Sequence, residues 1–98
     1  MPASQPKLSA PQMRLLRDFG ERLQIARLRR RRCMATVCGY AGISRMTLYR
    51  AEQGNPAVAL GTYLRILAVF RLEDDLARLA KDDLVGRMMQ DVELPRRR

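Results

Sequence analysis

Apolar residues recur every three to four positions along most of this chain and nowhere alternate over the length of a strand, so the pattern predicts helices throughout. Ser9-Ala10-Pro11-Gln12 has the spacing of a capping box with proline in the first turn, and predicts a long helix from there to about Arg31. Leu16, Phe19, Leu23 and Ala26 are its buried stripe. Two shorter helix-compatible segments occupy residues 33 to 54, joined at Ala41-Gly42-Ile43-Ser44, and Leu60 to Phe70 follows with enough apolar side chains for a core face and a second one. A fifth helix is expected over Leu72 to Lys81, with Leu76, Leu79 and Ala80 inward, and a short sixth over Leu84 to Gln90 after Asp82-Asp83. Leu94-Pro95 stops it. The expected architecture is all-α, a five- to six-helix bundle.

The pair at 33 to 54 carries the functional signal. Gly42 can take the positive φ of a sharp interhelical turn, Ser44 suits the N-cap of a helix from Arg45 to Gln53, and Gly54 ends that helix. Val37, Cys38, Ala41, Ile43, Leu48 and Ala51 are placed to pin the two helices together. Arg45, Met46, Thr47, Tyr49 and Arg50 are then left to face outward, and two arginines with a hydroxyl and an aromatic suit the major groove of DNA. The same spacings also fit a plain helical hairpin whose glycines serve only as caps. In the long first helix, Arg27 and Arg30 fall on or beside the apolar stripe, where a guanidinium requires a partner. Glu52 is the candidate acceptor, and an Arg27–Glu52 ion pair would tie the first helix to the third; the alternative is that both side chains snorkel to solvent.

Charge sharpens this picture. The 98 residues carry a net charge of +9, and all of the excess lies in residues 1 to 50, where eleven basic side chains face only Asp18 and Glu21. A basic face over a groove-facing helix would neutralise phosphates and release counterions. Arg29, Arg31 and Arg32 are the candidates for that role, although a run of arginines also suits an ordinary helix C-terminus. Residues 72 to 93 are net acidic and should point away from DNA. Their apolar residues Leu76, Leu79, Leu84, Val85, Met88 and Met89 suit either self-association or completion of a small core.

Other chemistries find little purchase. The chain has no histidine, and Cys33 and Cys38 are its only cysteines, so neither a zinc site nor a disulfide framework is expected, and both read as small buried or half-buried residues. No glycine-rich phosphate loop or nucleophile elbow is present, and Asp74-Asp75 and Asp82-Asp83 read as helix caps. The expectation is a binding protein with no cofactor and no catalytic residue, not an enzyme. No stretch approaches a membrane span and the chain does not open as a signal peptide, which gives a cytoplasmic expectation.

The runs G-E-R-L-Q-I-A-R-L-R-R at 20 to 30, A-G-I-S at 41 to 44 and T-L-Y-R-A-E-Q-G at 47 to 54 resemble the Xre and Cro type of helix-turn-helix domain known from phage repressors. The resemblance covers about half the chain and implies a lambda-repressor-like core. It supports the Arg27–Glu52 bridge and places base contacts at Arg45, Met46, Thr47 and Arg50; Tyr49, Met34 and Asn55 are further candidate DNA contacts of this chain. The chain departs from the family where the second helix starts: Cys33 and Met34 stand where a polar cap and a phosphate-binding glutamine are usual. Phosphate binding there would depend on backbone amides and on Arg29 to Arg32.

The stretch at 55 to 70, with L-V-G at 84 to 86 and L-P-R-R-R at the end, is similar to HipB-like antitoxins encoded beside HipA-type kinase toxins. That implies a homodimer on a palindromic operator, autorepression, and a kinase partner. A stand-alone phage-type regulator and a protein-interaction module without an operator are the competing readings. The domain organisation expected is a flexible arm at 1–8, a DNA-binding domain at 9–71, C-terminal helices for dimerisation or partner contact at 72–94, and a basic tail at 95–98.

Overall fold

The computed structural model describes residues 7–92, which are all-helical with no strand among them. The elements are α1 (Ala10–Arg29), α2 (Met34–Ala41), α3 (Arg45–Glu52), α4 (Leu60–Val69), a 3₁₀ segment (Glu73–Arg78) and α5 (Leu84–Val92). Most of the expected arm at 1–8, the stop at Leu94-Pro95 and the tail at 95–98 lie outside the described residues.

The first helix starts as its sequence dictates. The Ser9 hydroxyl accepts the Gln12 N–H at 3.2 Å, and Gln12 Oε1 accepts the Ser9 N–H at 3.0 Å. It ends at Arg29, earlier than expected, because Arg31 turns left-handed at φ 53°. That turn lets the Arg32 N–H reach the Arg27 carbonyl and the Arg31 N–H reach that of Leu28, the paired bonds of a Schellman ending. The same ending recurs after α3 at Gly54 (φ 71°) and after α4 at Arg71 (φ 60°), where Leu72 N–H bonds to Leu67 O at 2.9 Å.

One core joins α1 to α4. Leu23, Val37, Leu48 and Ile66 are its largest fully buried side chains, packed with Ala51, Tyr63, Leu67 and Phe70. Phe19 packs its ring 5.2 Å from that of Tyr63, whose hydroxyl donates to the Asn55 carbonyl at 2.8 Å. Burial raises the Tyr63 phenol above its ordinary pKa.

The C-terminal third departs from expectation. In place of a helix over Leu72 to Lys81 the chain forms only the 3₁₀ segment, bounded by left-handed residues Arg71 and Ala80. Leu76 is half-buried, but Leu79 is 65% exposed and Ala80 is exposed, so neither points inward. Leu72 packs on the core with the helices before it. α5 runs two residues further than predicted and has no buried residue, so Leu84, Val85, Met88 and Met89 do not complete the core.

Candidate nucleic-acid interface

α2 and α3 are joined by Gly42-Ile43-Ser44. Gly42 sits at φ 70°, ψ 40° and caps α2, its N–H bonding to the Cys38 carbonyl at 2.8 Å. Ser44 takes extended backbone and its hydroxyl accepts the Thr47 N–H at 3.1 Å, which starts α3. Val37, Cys38, Ala41, Leu48 and Ala51 are buried between the helices and α1 and α4, and Ile43 is half-buried. Burial also raises the Cys38 thiol.

With that face used, α3 turns Arg45, Met46, Tyr49 and Arg50 to solvent, Met46 at 56% and Tyr49 at 54% exposure. Thr47 is half-buried, and its hydroxyl accepts a hydrogen bond from Ser44 at 2.9 Å, so it is partly held within the cap. These residue types, on one short helix with no acid on the outward side, offer guanidinium forks and an apolar thioether to a base edge.

What fixes α3 in place is a buried ion pair. Arg27 Nε donates to Glu52 Oε2 at 2.8 Å and Arg27 Nη2 to Glu52 Oε1 at 3.1 Å, with the side chains 10% and 4% exposed. The remaining donor, Arg27 Nη1, reaches the Arg32 carbonyl at 3.1 Å. One guanidinium therefore links α1, the α1–α2 connection and the end of α3. Donating to the Glu52 carboxylate raises the Arg27 pKa against the opposing effect of burial.

Gly20 reinforces this joint. A Cβ on Gly20 would stand 2.5 Å from Gly54 N, 2.6 Å from Glu52 O and 2.7 Å from Ala51 O, so the backbone of α1 lies directly on the end of α3. Gly54 mirrors it, meeting the Leu16 carbonyl and lying 2.7 Å from Arg17 Cα if a Cβ were added. Neither contact was legible as such, because G-E-R-L in a helix gives no signal of what crosses it.

The arginines after α1 divide into roles. Arg30 donates to Ala26 O at 2.9 Å and Phe70 O at 3.3 Å and lies 5.1 Å from the Phe70 ring, so it ties α1 to the end of α4 and leaves the phosphate-binding set. Arg29 and Arg31 are exposed, and Arg32, half-buried, stacks 5.5 Å from the Tyr40 ring. Tyr40 is 73% exposed on α2 and was missed; its position off the apolar stripe, close to the arginine run, was the available signal.

Two candidate contacts are partly engaged by the fold. Met34 is half-buried and packs against the core, on which the first turn of α2 leans. Asn55 is half-buried in the turn after α3: its Oδ1 accepts the Ala57 N–H at 2.8 Å and its carbonyl accepts the Tyr63 hydroxyl, both structural tasks. Cys33, the N-cap of α2, makes no side-chain cap bond to a backbone N–H. Its exposed thiol lies 3.2 Å from the Thr36 hydroxyl, a hydrogen bond that lowers the thiol pKa. Among the described residues no helix is long and apolar enough to cross a membrane. Comparison with protein-family models and with curated proteins gives no match.

Proposed function

We propose that this chain is a sequence-specific DNA-binding repressor that inserts α3 into the major groove and works as a two-fold dimer. The observation that carries the reading is the exposed row Arg45, Met46, Tyr49 and Arg50 on a helix whose end is clamped by a buried, bidentate ion pair. A reading head must be both exposed and rigid, because base discrimination depends on placing a guanidinium within hydrogen-bond reach of guanine N7 and O6. Arg29 and Arg31, with the uncapped amides at the start of α2, supply the adjacent phosphate contacts. The N-terminal half holds the whole excess of positive charge, which favours a polyanion over an acidic peptide that would need only a local patch.

A single module of this size seldom reaches specific affinity alone, so two copies on half-sites about 10 bp apart, or a multiple, are part of the proposal. Autorepression beside a kinase partner, as in HipB-like antitoxins, extends it on the strength of the sequence resemblance, and co-purification with a kinase encoded nearby tests that extension. Selection of bound duplexes from a random pool tests the core of the reading. It should return an inverted repeat with that spacing, whereas an unenriched pool contradicts specific recognition.

A further inference from the structure

Two apolar surfaces stay open in the fold. The first is a cleft of about 660 Å³ between α1, α4 and the 3₁₀ segment, lined by Leu15, Leu60, Leu64, Leu76 and Leu79, with Arg22 and Asp75 among its polar walls. The second is the stripe Leu84, Val85, Met88, Met89 and Val92 along α5, each 58 to 79% exposed. Those positions recur as i, i+1, i+4, i+5 and i+8, which is one face of a helix. The left-handed turn at Ala80 and the exposed residues Lys81 to Asp83 carry α5 off the body, and none of its residues is buried. The radius of gyration is 16.9 Å, against about 13 Å for a compact chain of this length.

We propose that the cleft of one copy receives α5 of a second copy, in a reciprocal exchange about a two-fold axis. The helix offers what the cleft lacks: a single leucine, valine and methionine face for a leucine-walled trough. Area supports a second copy as the occupant. Leu15, Leu60, Leu79 and the five α5 residues are each more than half exposed. Together they offer on the order of 800 Å² per copy, the area per partner of a standard stable interface.

Charge does not oppose the pairing: α5 carries one base and one acid, Arg87 and Asp91, and the cleft likewise presents Arg22 and Asp75. This interface shares no residue with the outward row of α3, so two reading heads stay available. The proposal deepens the two-fold part of the reading above and does not depend on DNA binding.

Sedimentation equilibrium of the full chain tests it. Wild type should be dimeric, and Met88→Asp on the helix and Leu60→Asp in the cleft should each be monomeric with unchanged helical circular dichroism. An equimolar mixture of the two variants should dimerise again, at least tenfold more weakly than wild type, because one of the two seats is intact. A monomeric wild type overturns the proposal. So does a Leu60→Asp variant that stays dimeric, which would indicate α5 pairing with α5 instead.

Should either aspartate variant fail to fold, Leu60→Cys and Met88→Cys copies, both carrying Cys33→Ser, must form a disulfide-linked heterodimer on mixing. No such product overturns the proposal. Salt-dependent duplex binding measured on the monomeric variants reports on the DNA reading separately, so failure of one is distinguishable from failure of the other.

Discussion

Glu52→Ala removes both carboxylate oxygens from a guanidinium that is 10% exposed, leaving Arg27 with the Arg32 carbonyl as its remaining partner. Two charge-assisted hydrogen bonds are lost, each worth about 1.5–3 kcal/mol, and the stranded cation adds a desolvation cost; breaking a buried pair in this way typically costs about 3–5 kcal/mol. At about 4–8 °C per kcal/mol for a domain of this size, the melting temperature should fall by at least about 12 °C. The internal control is the exposed pair Arg87–Asp82, 3.4 Å apart with side chains 57% and 91% exposed. Asp82→Ala should shift melting by no more than a few degrees, because solvent-exposed pairs contribute about 0–1 kcal/mol. Replacing both buried partners, as Arg27→Met with Glu52→Leu, should recover much of the loss, since no charge is then left unpaired. Thermal unfolding by circular dichroism reads all four proteins. A Glu52→Ala variant melting within a few degrees of wild type would refute the clamp.

Gly20→Ala should destabilise by about 1–3 kcal/mol or more, because the new methyl meets backbone atoms of Glu52 and Gly54 that have nowhere to move, whereas Gly39→Ala on α2, with open space around it, should stabilise by about 0.5–1 kcal/mol. Denaturant midpoints separate the two. Arg45→Ala and Arg50→Ala should each cost about 1–3 kcal/mol at particular base pairs of a selected operator; uniform weakening over all sequences would demote that residue to phosphate anchoring. For pH, the sign follows from burial: Cys38 and Tyr63 hold their protons above their ordinary values of 9.0 and 10.0, so the native state binds more protons than the unfolded chain in alkali. Their stabilisation is full below pH 9.0 and is lost as pH rises through the folded values. Melting temperature should therefore decline above that point, with Tyr63→Phe flattening the upper part, and a flat profile in wild type would contradict the burial of both groups.

Much of this was legible because the decisive signals are local. Ser9 to Gln12, Gly42, Ser44 and Gly54 each determine a cap or turn through their own side chain or lack of one, and helical spacing alone separated the buried face of α3 from its arginines. The Arg27–Glu52 pairing followed from two charges standing on apolar stripes, which admits few solutions. The ending of α1 was not legible, since Arg31 occupies a left-handed position where glycine or asparagine would have announced the stop. The 3₁₀ segment is illegible for a related reason: Leu76 and Leu79 have α-helical spacing, and nothing in the side chains of Arg71 or Ala80 announces the left-handed turns that bound it. The half-burial of Met34 and Asn55 is equally illegible, because it arises from core packing and from turn chemistry that helical spacing does not show. Gly20 escaped because close approach depends on a helix over thirty residues away in sequence.

The central claim is that a cationic, outward α3 meets a duplex, and the salt dependence of duplex affinity tests it most directly. Measured by fluorescence anisotropy, log Kd should rise linearly with log salt concentration with a slope of about 0.9 per phosphate neutralised, so that several contacts give a loss of orders of magnitude between low and physiological salt. No binding at low salt, or an affinity indifferent to salt, would contradict it.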